Sequence, residues 1–204
     1  MDGFDEDVRR MLAFREGDAD AFDALFQRWA GPLLRYLERM LHDAASAEDL
    51  VQEVFLRVHR ARERYRPEAR FSTWIFRIAT NLALNELRRP RRRDPHASLD
   101  AEDAPQPPAP GTATDDFVHA KRMAGEVDRA LRSLPERQRA ALWLGAVEGF
   151  SYAEVAESLD VTEKAVKALV HRARSSLASR LEAAREPVVE PARKRGAPGK
   201  GGVE

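Results

Sequence analysis

The sequence predicts an all-α protein built from two small helical domains that are joined by a flexible, acidic, Pro-rich linker. Apolar residues recur at intervals of three or four in both halves of the chain, which is the spacing of amphipathic helices. Residues 94–116 (DPHASLDAEDAPQPPAPGTATDD) separate the halves, contain no Lys or Arg and supply no core. We expect a first domain over residues 1–93, this linker, a second domain over residues 117–185 and a disordered tail over residues 186–204.

Composition excludes several classes of protein. The 204 residues include 34 Lys and Arg and 34 Asp and Glu, so the formal net charge is zero and the distribution of charge carries the information. No apolar run approaches the roughly 18 residues of a membrane span, and the acidic start of the chain is unlike a secretion signal, so a cytoplasmic protein is expected. Because the chain has no Cys and only scattered His, neither a metal nor a cofactor is expected.

The first domain is predicted to contain successive helices. Gly31 and Pro32 lie between two apolar stripes and are predicted to end one helix and begin another. Ser46 is followed three residues later by Asp49, a pattern close to a capping box, which predicts the start of a third helix. Ser72 is predicted to cap a fourth helix, since an apolar stripe follows it.

The second domain contains the signature of a helix-turn-helix motif. Ser133 and Glu136 fit a capping box and predict a helix that continues to Gly149. Ser151 and Glu154 repeat the pattern at the start of a short helix, YAEVAESLD. A turn follows, and Thr162 is predicted to cap a last helix with an apolar stripe on one side. In a motif with this spacing, the second helix fits the major groove of DNA.

The exposed face of this last helix is basic. Cations there can contact base edges and phosphates, although a solvated face of a small bundle is the alternative interpretation. The candidate duplex-binding residues are Thr162, Lys164, Lys167, His171, Arg172 and Arg174.

The fourth predicted helix has an unusual polar face. An aromatic, two amides and two cations follow one another at intervals of three or four residues and end in the basic run RRPRRR. Aromatics stack on unpaired bases, amides bind base edges and Arg binds phosphates. The alternative is that the aromatics pack in the core and the Arg run is only solvated. The candidates are Tyr65, Trp74, Arg77, Asn81, Asn85, Arg88 and Arg89.

The third predicted helix has an acidic and polar patch opposite its apolar face. Asp49, Gln52 and Glu53 lie at i, i+3 and i+4 and therefore share one face. A hydrated surface is the simplest interpretation, and a contact with a partner protein is the more specific one.

These features together resemble the sigma-70 family of transcription initiation factors. AEDLVQEVFLRVHRARERYRPEARFSTWIFRIATNLALNELRR is similar to region 2 of the family, and LPERQRAALWLGAVEGFSYAEVAESLDVTEKAVKALVHRARSSL is similar to region 4. The resemblance covers roughly residues 10–93 and 120–182. Because there is no region 3 domain and no long acidic N-terminal domain, the extracytoplasmic-function (ECF) group is the best match.

The resemblance implies a function without catalysis. Members bind the core of bacterial RNA polymerase and direct it to promoters. The resemblance implies that Asp49, Gln52 and Glu53 contact the β′ clamp helices of the polymerase. It implies that the candidates on the fourth helix bind the melted −10 element. The last helix would bind the −35 element, and the domain that contains it would pack on the β flap. Many relatives have Ser-Arg where Ala168 and Leu169 stand, and Ala168 cannot hydrogen-bond a base edge, so the −35 preference of those relatives is not carried over to this chain. An anti-sigma factor is a further implied partner.

Two other classes of protein fit the sequence less well than a sigma factor. A stand-alone helix-turn-helix regulator would resemble only the second domain, and the base-stacking face of the first domain counts against it. A nuclease would need grouped carboxylates for metal ions, whereas the acids lie on a helix surface and in the linker.

Overall fold

A computed structural model describes residues 6–89 and 115–185, and within these residues the regular structure is helical. The predicted all-α class is therefore confirmed. No helix in the described ranges is long and apolar enough to cross a membrane. The helices are α1 (Glu6–Arg15), α2 (Ala19–Leu41), α3 (Ala44–Ala61), a 3-10 turn (Arg62–Arg64), α4 (Phe71–Arg88), α5 (Asp115–Arg132), α6 (Glu136–Ala146), α7 (Tyr152–Leu159) and α8 (Glu163–Arg185).

Most of the predicted linker and the whole predicted tail lie outside the described residues. Asp115 and Asp116, which composition placed in the linker, form the first residues of α5 instead. Of the basic run RRPRRR, only Arg88 and Arg89 are described.

The predicted helix break at Gly31 and Pro32 is wrong. Both residues lie inside one helix, α2, which is 23 residues long. Proline removes one backbone hydrogen bond within a helix, but Leu25 before it and Leu33 after it are fully buried in one core. Burial on both sides of the proline therefore holds the two stripes in a single helix.

Three predicted helix starts are also wrong by one to three residues. Ser46 lies inside α3, and its hydroxyl donates to Asp43 Oδ2 over 2.7 Å. Ser72 lies inside α4, which begins at Phe71. Ser133 precedes α6 without capping it, because its hydroxyl donates to a carbonyl of the preceding helix. α6 ends at Ala146, short of the predicted Gly149.

The predicted helix-turn-helix motif is confirmed in detail. The Ser151 hydroxyl accepts from the backbone N–H of Glu154, and Glu154 Oε2 accepts from the Ser151 N–H over 2.8 Å, which completes the capping box. Asp160 adopts the left-handed conformation that ends α7. Thr162 Oγ1 then accepts from the N–H of Ala165 at the start of α8.

α2 and α4 are joined by a buried hydrogen bond. The Tyr36 and Thr80 hydroxyls are 2.7 Å apart, and neither residue is exposed to solvent. Burial raises the pKa of Tyr36, so its hydroxyl stays protonated. The Tyr36 ring also packs edge-on against Phe76, at 5.4 Å between centroids. These contacts fix the rotation of α4 and therefore decide which of its residues face outward.

α1 is attached to α2 through a buried carboxylate. Asp7 is 1% exposed, and it accepts from Trp29 Nε1 over 3.2 Å and from Arg10 over 3.0 Å. Arg28 Nε lies 3.2 Å from the same carboxylate. A buried charge is tolerated when its oxygens are all engaged in this way.

Replacing Asp7 tests the strength of this attachment. We expect Asp7→Ala to lower the free energy of unfolding by about 2 kcal/mol, because the indole and guanidinium donors lose a charged acceptor. Glu6→Ala is the matched control, and its exposed carboxylate predicts a change below about 1 kcal/mol. Urea denaturation measures both. Equal losses in the two variants would contradict a special role for Asp7.

Candidate nucleic-acid interface

The basic row of α8 lies on the surface of the helix-turn-helix domain. Val166, Val170 and Ala173 are buried on the other side of the helix and fix its orientation. Ala168 is exposed, so the residue that departs from the common family pattern faces outward. The structure brings all the predicted duplex-binding residues to the exposed surface: Thr162, Lys164, Lys167, His171, Arg172 and Arg174.

The predicted polar face of α4 also exists. Arg77, Asn81, Asn85 and Arg88 are exposed along one side of the helix. Arg89 follows at the end of α4 and pairs with Glu86 over 2.9 Å. The face therefore presents two amides and three cations, and side chains of these types contact base edges and phosphates in protein–DNA complexes.

Tyr65 and Trp74 form an aromatic corner beside this face. Their rings meet edge-on, with centroids 4.8 Å apart. Trp74 is partly exposed, whereas Tyr65 is only 3% exposed. In this structure Tyr65 is thus a wall of a cleft and not an open stacking platform.

The cleft next to this corner contains a residue that the sequence analysis missed. Thr73 is 1% exposed, and its hydroxyl has no hydrogen-bond partner among the described residues. The same cleft is lined by Tyr65, Trp74, Arg64 and Arg77. A buried hydroxyl in a cleft with aromatic and cationic walls is suited to a polar ligand with a planar ring. A lone Thr in an apolar stripe gives no sequence signal for this role.

The acidic patch of α3 is exposed as predicted, with one internal pair. Asp49 and Gln52 face solvent, whereas Glu53 accepts from Arg57 over 2.8 Å, and this hydrogen bond lowers the pKa of the carboxyl group. Leu56, one turn further along α3, is 50% exposed and was not predicted. Acidic and apolar groups together are typical of a protein-binding surface.

The chain is therefore a two-part helical protein with one basic face for each part and an acidic patch on the first. Comparison with known proteins gives the family. Residues 25–93 match Sigma-70 region 2, and residues 124–177 match Sigma-70 region 4. The chain belongs to the sigma-70 family, in its ECF group, and is an RNA polymerase sigma factor that initiates transcription and is not an enzyme.

Curated relatives resemble the chain over most of their length. The RNA polymerase sigma-H factor of Pseudomonas aeruginosa is 31% identical over 183 residues, which is 87% of this chain and 95% of the relative. The sigma factor CarQ of Myxococcus xanthus is 38% identical over 162 residues, which is 79% of this chain and 90% of the relative.

Solved structures share the fold. CnrH, in complex with the cytosolic domain of CnrY, is similar with a TM-score of 0.66 and 24% identity, over 88% of this chain and 99% of CnrH. The sigma factor RpoE of Bartonella quintana, in complex with the anti-sigma factor NepR, gives a TM-score of 0.60 and 24% identity, over 80% of this chain and 98% of RpoE.

A substitution at Thr73 separates binding from stability. We expect Thr73→Val to leave the free energy of unfolding unchanged or raise it by about 1 kcal/mol, because a buried hydroxyl without a partner is costly. We expect the same variant to bind single-stranded promoter DNA several-fold more weakly. Urea denaturation and fluorescence anisotropy measure the two effects. Thr73→Ser is the control that retains the hydroxyl, and a loss of binding there equal to that of Thr73→Val would contradict the assignment.

Proposed function

We propose that the two basic faces divide promoter recognition between them. The observation that supports this most directly is that two exposed rows of polar and cationic side chains lie on separate helical blocks, one on α4 and one on α8. The matched regions lie within the domains that we propose over residues 1–93 and 117–185.

The α4 face is proposed to hold the opened −10 strand. Asn81 and Asn85 would contact base edges, and Arg77, Arg88 and Arg89 would bind phosphates. The cleft walled by Tyr65 would accept an unstacked base against Trp74. Extruding a base costs a few kcal/mol, and each aromatic stacking contact returns about 1–3 kcal/mol. One or two such contacts therefore offset the cost of extruding one base.

The α8 face is proposed to bind the −35 element as duplex. Thr162 caps α8, and Lys164 and Lys167 lie in its first turns. These turns would enter the major groove, and the later cations would reach phosphates. Since Ala168 has no hydrogen-bonding side chain, it offers a base edge only an apolar contact. We therefore propose a −35 preference unlike that of relatives with a Ser-Arg pair at this position.

Protein partners follow from the family. We propose that Asp49, Gln52 and Glu53 contact the β′ clamp helices of RNA polymerase, and that the helix-turn-helix domain packs on the β flap. CnrH and RpoE form complexes with CnrY and with the anti-sigma factor NepR, so a protein inhibitor is proposed for this chain also. Its place of action would be the cytoplasm, where the polymerase works.

Transcription in vitro tests the proposed polymerase contact. We expect Asp49→Arg to weaken binding to bacterial core polymerase at least about tenfold, because a like charge would face the basic side of the interface. Glu48→Arg is the control, because it makes the same change of charge at the neighbouring exposed position of α3. Promoter-dependent start sites are mapped by sequencing RNA 5′ ends. Start sites that persist equally in both variants would place the contact elsewhere.

Binding to promoter DNA by the holoenzyme tests the α8 face. We expect Arg174→Ala to reduce affinity by a similar factor for every −35 sequence and to lower the salt slope by about 1, as for a phosphate contact. Lys164→Ala, by contrast, is expected to change the preferred −35 sequence. Arg180→Ala is a control on the same helix. Specific duplex binding by the free chain would instead favour a stand-alone regulator.

A further inference from the structure

The second turn of α8 presents a methyl group on the side of the helix that points away from the core. Val166 and Val170 are buried one turn apart, and Ala168 lies midway between them in sequence. Since an α-helix has about 3.6 residues per turn, a residue placed in this way projects from the opposite side of the helix. α5, α6 and α7 all pack against α8, and Ala168 is exposed. The side of α8 that carries Ala168 is therefore open to a ligand.

Long cationic and polar side chains surround this methyl group. Lys164 lies one turn before Ala168 and Arg172 lies one turn after it, so the three residues form one line along α8. Lys167 and His171 flank this line, and all four of these polar side chains are exposed. A short apolar side chain therefore stands between the residues that we propose to contact DNA.

The next residue along α8 adds no polar group beside Ala168. Leu169 is partly buried and packs against the hydrophobic core. Ala168 itself has neither a donor nor an acceptor in its side chain. At the centre of the exposed face, a base pair would therefore meet a methyl group and no hydrogen-bonding partner.

A methyl group that faces the major groove discriminates between base pairs. Of the four bases, only thymine displays a methyl group there, and the methyl of alanine is suited to contact it. The amino groups of adenine and cytosine would lose water against the same surface and gain no hydrogen bond in return, which is unfavourable. The chemistry at this point of α8 thus favours thymine.

We propose that Ala168 selects a T·A base pair at one position of the −35 element, through contact between its side-chain methyl and the C5-methyl group of thymine. The proposal rests on the proposed function of the α8 face and adds the identity of one base to it. Because the contact is apolar, it alters sequence preference without adding to the salt dependence that the flanking cations confer.

Removal of a methyl group from the DNA tests the contact without any change to the protein. The holoenzyme formed with bacterial core polymerase is titrated, at constant salt, with a promoter fragment from a mapped start site. Each thymine of the −35 element, on either strand, is replaced in turn by deoxyuridine, which lacks the C5-methyl group. We expect one replacement to weaken binding about fourfold, the factor that corresponds to burial of one methyl-sized group.

A paired substitution in the protein identifies the residue that makes the contact. Ala168→Gly removes the side-chain methyl, and we expect its holoenzyme to bind the thymine and deoxyuridine fragments equally. Ala178→Gly is the matched control, because it removes an exposed methyl from the same helix with the same loss of helix propensity. This control is expected to keep the preference for thymine. Circular dichroism checks that both variants retain their helical content.

The outcomes separate this contact from the wider role of α8. If no thymine of the −35 element is sensitive to loss of its methyl group, or if Ala168→Gly stays as sensitive as the parent chain, the role of Ala168 is overturned. A −35 element without a T·A pair would also overturn it. Exchange of the whole −35 element for an unrelated sequence tests the α8 face itself, and an unchanged affinity there would contradict the proposed function as well.

Discussion

The hydrogen bond between Tyr36 and Thr80 is the contact on which the use of α4 depends. A helix of this amphipathic kind has several orientations in which an apolar side faces a core. The buried hydroxyl pair allows only one orientation of α4, because rotation of the helix would leave both hydroxyls without a partner in an apolar environment. The bond therefore selects the rotation that places Asn81 and Asn85 in solvent.

Charge in this protein is organised by surface. The formal total is zero, yet α4 and α8 present cations while α3 and α7 present carboxylates. Separate surfaces of opposite sign suit the partners proposed for them, DNA for the basic faces and polymerase for the acidic patch. Electrostatic contacts of this kind weaken as salt rises.

The helix caps and the exposed faces of the helices are largely predictable from the sequence, because they depend on residues close together along the chain. Local signals such as the Ser151–Glu154 capping box and the stripe opposite Lys164 and Lys167 are determined by neighbours along the chain. The errors arise where distant residues decide the outcome. Burial of Leu25 and Leu33 in one core carries α2 through Pro32. The unpaired hydroxyl of Thr73 and the burial of Arg139 depend on residues far away in sequence, so periodicity gives no sign of either.

Glu154 joins the two domains through an oxygen atom that its own helix cap does not use. Its Oε2 atom accepts from the N–H and hydroxyl of Ser151 within the cap, whereas its Oε1 atom faces Arg70 of the other domain. Loss of the Arg70 contact would therefore leave the start of α7 as it is. Because the two oxygens have different partners, a substitution at Arg70 would weaken this contact between the domains and leave the cap of the helix-turn-helix motif in place.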